Sequence, residues 1–196
     1  MATISTADIQ ALRQQTGVGM LEAKKALVAA DGDAAKAIEN LRKSGKKLAA
    51  AKSERTVKEG VVGTYVHANH KVAAMVAVGC ETDFVARTDG FKELAHDLAL
   101  HIAAANPLYL QPSDIPASVL EKEQEIYREQ LKAEGKPEKM WDTIIKGKVE
   151  KFYAETCLLD QVFVKDDSKS INDLLQGAIA KLGENIVITS FSRLTI

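Results

Sequence analysis

The sequence predicts an α+β fold in which a small helical domain precedes a core built on an antiparallel sheet. Three observations support this prediction. Apolar side chains recur at helical spacings through residues 5–44, two β-branched runs follow from residue 61, and the last segment, NIVITSFSRLTI, is strand-like. Helices and strands that are segregated along the chain are typical of α+β domains.

The first domain, residues 1–45, is predicted to contain three short helices. Ser5 and Asp8 have the spacing of a capping box for the first helix. Residues 31–33, Asp-Gly-Asp, should stop the second helix and cap the third, which is expected to end at residues 44–45, Ser-Gly. Such a short unit has a very small core, so we expect it to present an interaction surface. The apolar residues of the second helix are Met20, Ala23, Leu27 and Ala30.

A basic helical connector is predicted at residues 46–59. Between Arg42 and Lys58 there are seven basic residues and one acid, Glu54. Charge runs of this kind usually form a solvated helical face, which is the interpretation we prefer. A phosphate-binding strip is the alternative, although no aromatic residue lies there to stack on a base.

The core domain is predicted over residues 60–196. Its sheet begins with a hairpin made by VVGTYV and KVAAMVAV, and a helix with one apolar stripe follows from about Asp89 to Asn106. A helical hairpin is expected at about 117–160, with its turn at Glu-Gly-Lys-Pro, and a last helix should end near Leu182. The hairpin's facing residues would be Leu120, Tyr127 and Leu131 on one arm and Trp141, Ile145, Val149 and Phe152 on the other.

Composition excludes several classes of protein. The chain has 196 residues, of which 46% are hydrophobic and 27% charged, so a folded protein is expected rather than a disordered one. No apolar run approaches the roughly 20 residues that cross a bilayer, and the N-terminus lacks the pattern of a signal peptide. Two cysteines make no disulfide framework, which favours a reducing, cytoplasmic setting.

The sequence contains no clear motif for nucleotide binding, metal binding or nucleophilic catalysis. Gly17-Val18-Gly19 follows a predicted helix rather than a strand, so we expect no direct nucleotide binding. A zinc site from His67, His70 and Cys80 has no obvious fourth ligand, and a cysteine nucleophile has no recognisable activating context. We therefore expect no catalytic residue, no metal and no cofactor, and a thiol or metal enzyme is kept only as an alternative.

Two residues of the core remain ambiguous by pattern alone. Phe84 lies in GCETDFVAR, where a strand gives way to a helix, and it is either a core anchor or an outward contact with another molecule. His101 falls beside Leu94 and Leu98 on the edge of the apolar stripe, so the pattern favours a partly buried structural histidine.

Several blocks of the chain, taken in order, resemble the bacterial-type elongation factor Ts family. They are LRQQTGVGMLEAKKAL with DGDAAKAIENLRKSG, CETDFVAR, HIAAANP, GKPEKM, QVFVKDD and GENIVI, and the resemblance covers essentially the whole chain. It implies a ubiquitin-associated-like N-terminal domain and the activity of a guanine-nucleotide exchange factor for elongation factor Tu. The length is similar to the short form of the family, which implies a homodimer.

The same resemblance assigns roles to particular residues. Thr82, Asp83, Phe84 and Val85 match the element that disturbs the Mg²⁺ site of elongation factor Tu, with Asp83 and Phe84 as the intruding pair. His101 matches a core histidine that contacts the partner. Arg13, Met20 and Leu21 match N-terminal positions that bind the partner, although Leu21 stands where the family often has Met.

One binding function from another class stays open at this point. The helical domain and the basic connector would suit an adaptor that holds RNA or a ribosomal component, although a net charge of −1 makes nucleic acid a less favoured partner. For a homodimer, the C-terminal strand or the helical hairpin is the expected self-complementary surface.

Overall fold

The computed structural model describes residues 4–196, and its fold is α+β as predicted. No helix in this range combines the length and the apolar character that a bilayer span requires. The helices are α1 (Thr6–Thr16), α2 (Met20–Ala29), α3 (Ala34–Lys52), α4 (Asp83–Ala86), α5 (Asp89–Ala105), α6 (Ala117–Ala133), α7 (Trp141–Thr156) and α8 (Ile171–Leu182). The strands are β1 (Glu59–Val66), β2 (Val72–Cys80), β3 (Val162–Phe163), β4 (Asp166–Ser170) and β5 (Val187–Thr195).

The main sheet has three strands in the order β1-β2-β5. Strands β1 and β2 form the predicted hairpin, which the His67 N–H closes by donating to the Val72 carbonyl at 2.9 Å. Strand β5 runs antiparallel to β2, because the Ile196 N–H donates to the carbonyl of Lys71, the residue just before β2. The predicted hairpin and C-terminal strand are therefore confirmed.

The short pair β3-β4 was not predicted from the sequence. It is antiparallel, with Val162 opposite Ser170 and Phe163 opposite Asp166, and an irregularity between the two pairs. A two-residue strand is too short for an alternating pattern, so only tertiary structure reveals it.

The chain divides into two compact units. Among the described residues, the first comprises 4–61, Gly79–Lys92 and Asp173–Val187, and the second comprises Val62–Val78, Glu93–Asn172 and Ile188–Ile196. In the first unit, α1, α2 and α3 pack around a small core of Leu12, Ala23, Ala26, Leu27, Ala30 and Ala37.

The predicted helix ends in the first unit follow from local chemistry. Ser5 and Asp8 form the capping box of α1, since the Asp8 N–H donates to Ser5 Oγ and the Ser5 N–H donates to the Asp8 carboxylate. Gly17 ends α1 with φ 71°, a left-handed conformation that glycine adopts without strain. Asp33 caps α3 by accepting from the Lys36 N–H at 3.0 Å.

The predicted end of α3 at Ser44-Gly45 is wrong, because the helix continues to Lys52. Gly45 is buried inside the helix, and a Cβ built on it would lie 3.7 Å from the Cβ of Ala180 in the same unit. The glycine therefore packs closely against a neighbouring side chain instead of ending the helix. The connector consequently begins inside α3 and is helical only as far as Lys52.

The second unit contains the predicted helical hairpin, α6 and α7. Leu131, Ile145 and Val149 form its buried centre, with Leu120, Tyr127 and Trp141 packed around them as expected. Tyr153 and Ile144 complete this cluster, and the predicted Phe152 is not part of it. Pro137 precedes a short 3-10 turn, Glu138–Met140, rather than the first turn of α7 itself.

Candidate functional site

The segment GCETDFVAR folds as the end of β2 followed by the four-residue helix α4. Thr82 caps α4, with its Oγ1 accepting from the Val85 N–H at 3.5 Å. Ala86 is buried on the inner side of this turn, whereas the side chain of Phe84 is 81% exposed. Between the two interpretations that the sequence left open, the structure excludes the core anchor.

Asp83 lies beside Phe84 on the same short helix. Its carboxylate pairs with Arg87 one turn later, at 2.9 Å, and both side chains are exposed. An exposed pair at this spacing contributes at most about 1 kcal/mol, so little holds Asp83 in this pairing if another cation or donor approaches.

Glu184 holds the turn that leads into α4. Its Oε2 accepts the N–H groups of Glu81 and Thr82, each at 3.0 Å, and its Oε1 accepts the Thr82 hydroxyl at 2.6 Å. Hydrogen bonds to a carboxylate are shorter and stronger than neutral ones, as the 2.6 Å contact illustrates. The residue stands between α8 and β5, far from the motif in the sequence.

A second set of hydrogen bonds joins the same two segments with donor and acceptor roles reversed, since here the side chain of Glu81 is the acceptor. Glu81 Oε1 accepts the Asn185 N–H at 2.7 Å and lies 3.4 Å from Arg55 Nη1. The buried Asn185 side chain donates to the carbonyls of Ser53 and Arg55 in the segment after α3. The motif is thereby attached to two other segments of the same unit.

Met20 and Leu21 lie at the start of α2, and Arg13 lies exposed on α1. Met20 is 41% exposed and Leu21 67% exposed, so Met20 does not belong to the buried stripe that its spacing suggested. Ala23, Leu27 and Ala30 of that stripe are buried as expected. The binding role of Arg13, Met20 and Leu21 remains a prediction.

His101 lies in the second unit and is completely buried. Its Nδ1 accepts the Val164 N–H at 3.4 Å and its Nε2 lies 3.0 Å from Gln161 Oε1, an arrangement that suits a neutral ring protonated on Nε2. Burial lowers the pKa of His101 below its ordinary value of 6.5. The pattern-based interpretation of a structural histidine fits this environment, and contact with a partner stays a prediction.

Neither cysteine has the environment of a nucleophile. Cys80 and Cys157 are both buried, and burial raises the pKa of each thiol. Cys80 Sγ lies 3.2 Å from the Thr82 carbonyl, which it meets as a weak donor. Within residues 4–196 there is no group of three or more potential ligands arranged to hold a metal ion.

The basic run is partly neutralised by acids. Lys43 pairs with Glu39 at 2.6 Å, and Lys46 pairs with Asp173 at 3.0 Å. Arg55, as described above, lies against Glu81. These pairs reduce the positive potential that a phosphate-binding strip would need, and they favour the solvated helical face.

Comparisons with known proteins indicate the same family as the motifs do. The family model described as elongation factor TS matches residues 6–196. The protein named elongation factor Ts in Fervidobacterium nodosum is 51% identical over 98% of this chain and 98% of its own length. The protein of the same name in Herpetosiphon aurantiacus is 51% identical over 99% of this chain and 98% of its own length. The one in Maridesulfovibrio salexigens is 50% identical over 96% of this chain and 91% of its own length.

These names place the chain among the factors of translation elongation. Within that class, the chain belongs to the elongation factor Ts family, which confirms the resemblance of its motifs.

Proposed function

We propose that this chain is a guanine-nucleotide exchange factor that binds elongation factor Tu in its GDP-bound and nucleotide-free forms. It disturbs the partner's Mg²⁺ and phosphate site and so promotes GDP release during elongation. The observation that carries the proposal is Phe84, an aromatic side chain that is 81% exposed on a turn held by hydrogen bonds. Thr82, Asp83, Phe84 and Val85 form the element that would enter the partner.

The physical basis is the coupling between two ligands of one protein. Mg²⁺ requires near-ideal octahedral geometry, so a side chain that enters its surroundings weakens its binding and that of the phosphates it bridges. Coupling is reciprocal, which means that a factor that binds best to the disturbed site must lower the affinity for GDP. No covalent step is required of this chain, so it is proposed as an exchange factor and not as an enzyme.

The energy required is within reach of one aromatic contact and its surroundings. Each tenfold acceleration of release needs about 1.4 kcal/mol, so a thousandfold effect needs roughly 4 kcal/mol. Truncation to alanine of a buried aromatic hot spot at the centre of an interface typically costs about 2–4 kcal/mol of binding free energy. Phe84 can therefore supply a large part of the effect, with Asp83 and the rim of the interface supplying the rest.

The other predicted contacts belong to the same proposal. Arg13, Met20 and Leu21 would bind the partner from the N-terminal helices, for which a ubiquitin-associated-like fold is proposed. A direct contact by His101 requires its buried ring to be uncovered in the complex. The cytoplasm is the proposed location of the chain and its partner.

By analogy with the short form of the family, we also propose a homodimer. Exposed apolar side chains on the strands of the second unit support a surface that a copy would cover. They are Val62, Val66, Met75 and Leu194.

The exchange proposal is tested by stopped-flow release of a fluorescent GDP analogue from elongation factor Tu. With Mg²⁺ present, the release rate should rise with the concentration of this chain and then saturate. When Mg²⁺ is first removed by a chelator, the acceleration should be much smaller, because the site is already disturbed. An acceleration equally large in both conditions contradicts the Mg²⁺ mechanism, and no acceleration in either contradicts the exchange function.

A further inference from the structure

We infer that Glu184 is a positioning residue that holds Phe84 in the orientation needed to enter the partner. This inference rests on the proposed exchange function and deepens it. Glu184 touches neither nucleotide nor Mg²⁺ in the proposal, and it acts through the turn that precedes α4.

The first argument is that both carboxylate oxygens of Glu184 are committed to one turn. Oε2 accepts two consecutive backbone N–H groups, those of Glu81 and Thr82, and Oε1 accepts the Thr82 hydroxyl. We call these three hydrogen bonds the clamp. Thr82 is also the cap of α4, so the residue that the clamp holds also starts the helix that carries Phe84. The direction of α4 therefore depends on where Glu184 lies.

The second argument is that the clamp works in both directions. While Glu184 accepts from the turn, Glu81 in the turn accepts the N–H of Asn185, the residue next to Glu184. Hydrogen bonds in both directions between residues 81–82 and residues 184–185 fix the position and the orientation of one segment relative to the other. Asn185 adds a bond to the carbonyl of Arg55 at 3.0 Å, which ties both to the segment after α3.

The third argument is that Phe84 has little support of its own. An 81% exposed ring has few packing contacts, and a four-residue helix is too short to be stable alone. Its orientation must come from neighbouring groups, and misplacement of a reacting or inserting group by about 1 Å can cost about 100-fold in rate. An ordered wedge also loses less entropy when it binds.

The test compares variants of Glu184 with variants of its hydroxyl partner. Glu184→Gln keeps an oxygen for the two N–H groups and offers an N–H to Thr82, whereas Glu184→Ala removes all three bonds. Thr82→Val removes both bonds of the hydroxyl at similar volume, the one to Glu184 and the cap bond from the Val85 N–H, and Thr82→Ser restores them. Glu54→Gln is the matched control, because Glu54 is exposed and has no hydrogen bond or ion pair within the described residues.

Three readouts separate positioning from simple stability. The first is the saturating rate of GDP release, measured apart from the concentration that gives half of it. The second is hydrogen exchange at the amides of Glu81 and Thr82 in the free protein. The third is a double-mutant cycle with Phe84→Ala, which reports whether the two residues act together.

We expect Glu184→Ala to lower the saturating rate about tenfold or more, and Glu184→Gln to fall between it and the wild type. Exchange of the two amides should become faster, Thr82→Ser should recover what Thr82→Val loses, and Glu54→Gln should match the wild type. With Phe84→Ala already present, Glu184→Gln should cost little more, because the residue it positions is gone.

The opposite results overturn the inference. One is a wild-type release rate in folded Glu184→Gln and Thr82→Val, and another is a full additional loss when Glu184→Gln is combined with Phe84→Ala. Failure of the wild-type protein to accelerate release is distinct, since it overturns the exchange proposal and removes the basis of the Glu184 inference with it.

Discussion

Phe84 and His101 are both proposed as partner contacts, yet their environments are opposite. Burying a phenylalanine side chain stabilises a protein by about 1.5–3 kcal/mol, and the exposed Phe84 contributes almost none of this to folding. The same apolar surface remains available for binding. His101 is buried and has partners for both ring nitrogens, so its visible contribution is to the stability of its own unit.

The environment of His101 predicts a pH dependence of stability. Since burial lowers its pKa in the folded state, the unfolded chain binds the additional proton more readily below pH 6.5. Its contribution is therefore fully present above about pH 6.5 and is lost as the pH falls towards the lowered folded pKa. In urea unfolding between pH 5 and 8, the stability difference between wild type and His101→Gln should shrink as the pH falls.

Taking a difference removes the pH dependence that carboxylates contribute equally to both proteins. His70→Asn serves as the control, because it removes an exposed histidine from a position with φ 55° that asparagine tolerates. A difference between wild type and His101→Gln that is constant over this range would contradict the neutral, buried role of His101.

For single helices and strands, the sequence was sufficient to predict the structure wherever a capping residue or an apolar stripe determines it. The capping box of Ser5 and Asp8 was predicted and is confirmed. Gly45 was not, because whether a glycine ends a helix or packs inside it depends on a neighbour, here Ala180, more than a hundred residues away. The β3-β4 pair was missed for a similar reason, since its residues find each other only in the fold.

The continuous α3 makes a prediction about its central glycine. Gly45→Ala should stabilise the protein by about 0.5–1 kcal/mol, because alanine loses less backbone entropy in a helix. The new methyl group would meet Ala180 at an ordinary packing distance of 3.7 Å. Chemical denaturation measures the difference in the free energy of unfolding.

Gly17→Ala is the matched variant with the opposite expectation. Its φ of 71° is strained for alanine, so a loss of roughly 1–2 kcal/mol is expected. A destabilising Gly45→Ala would indicate that α3 is interrupted at residue 45 in solution, as the sequence pattern first suggested.

For the assembly of the protein, the proposed homodimer has two alternative interfaces, the C-terminal strand and the helical hairpin. Leu194 is exposed on β5 and Ile126 is exposed on α6, so each represents one of the two expected surfaces. A charge placed in a dimer interface is costly, and it should therefore shift the protein towards monomer. Light scattering at micromolar concentration should give twice the chain mass for the wild type and a lower mass for either Leu194→Asp or Ile126→Asp, but not both.

A wild-type protein of monomeric mass would contradict the dimer. Two variants that both remain dimeric would retain the dimer and exclude both proposed surfaces. Circular dichroism of each variant checks that a loss of mass reflects dissociation of folded chains.

The candidate site was predictable only in part. The motif Thr82–Val85 is contiguous, so the resemblance identified it, and its helical turn follows from one cap. Its clamp was not predictable, because Glu184 is 103 residues from Glu81 and nothing in a single chain pairs them. The available signals were the GENIVI block and a short Gly-Glu-Asn turn between a predicted helix and a predicted strand, and neither pairs Glu184 with Glu81.

The most direct test of the exchange function compares Phe84→Ala with the wild type in GDP release from elongation factor Tu. Leu48→Ala is the control, since it removes another exposed apolar side chain from the same unit but from outside the predicted contacts. We expect unchanged thermal unfolding for both variants and a release rate lowered about 30-fold or more for Phe84→Ala alone, which corresponds to at least about 2 kcal/mol. A folded Phe84→Ala that accelerates release as well as the wild type would contradict the outward wedge.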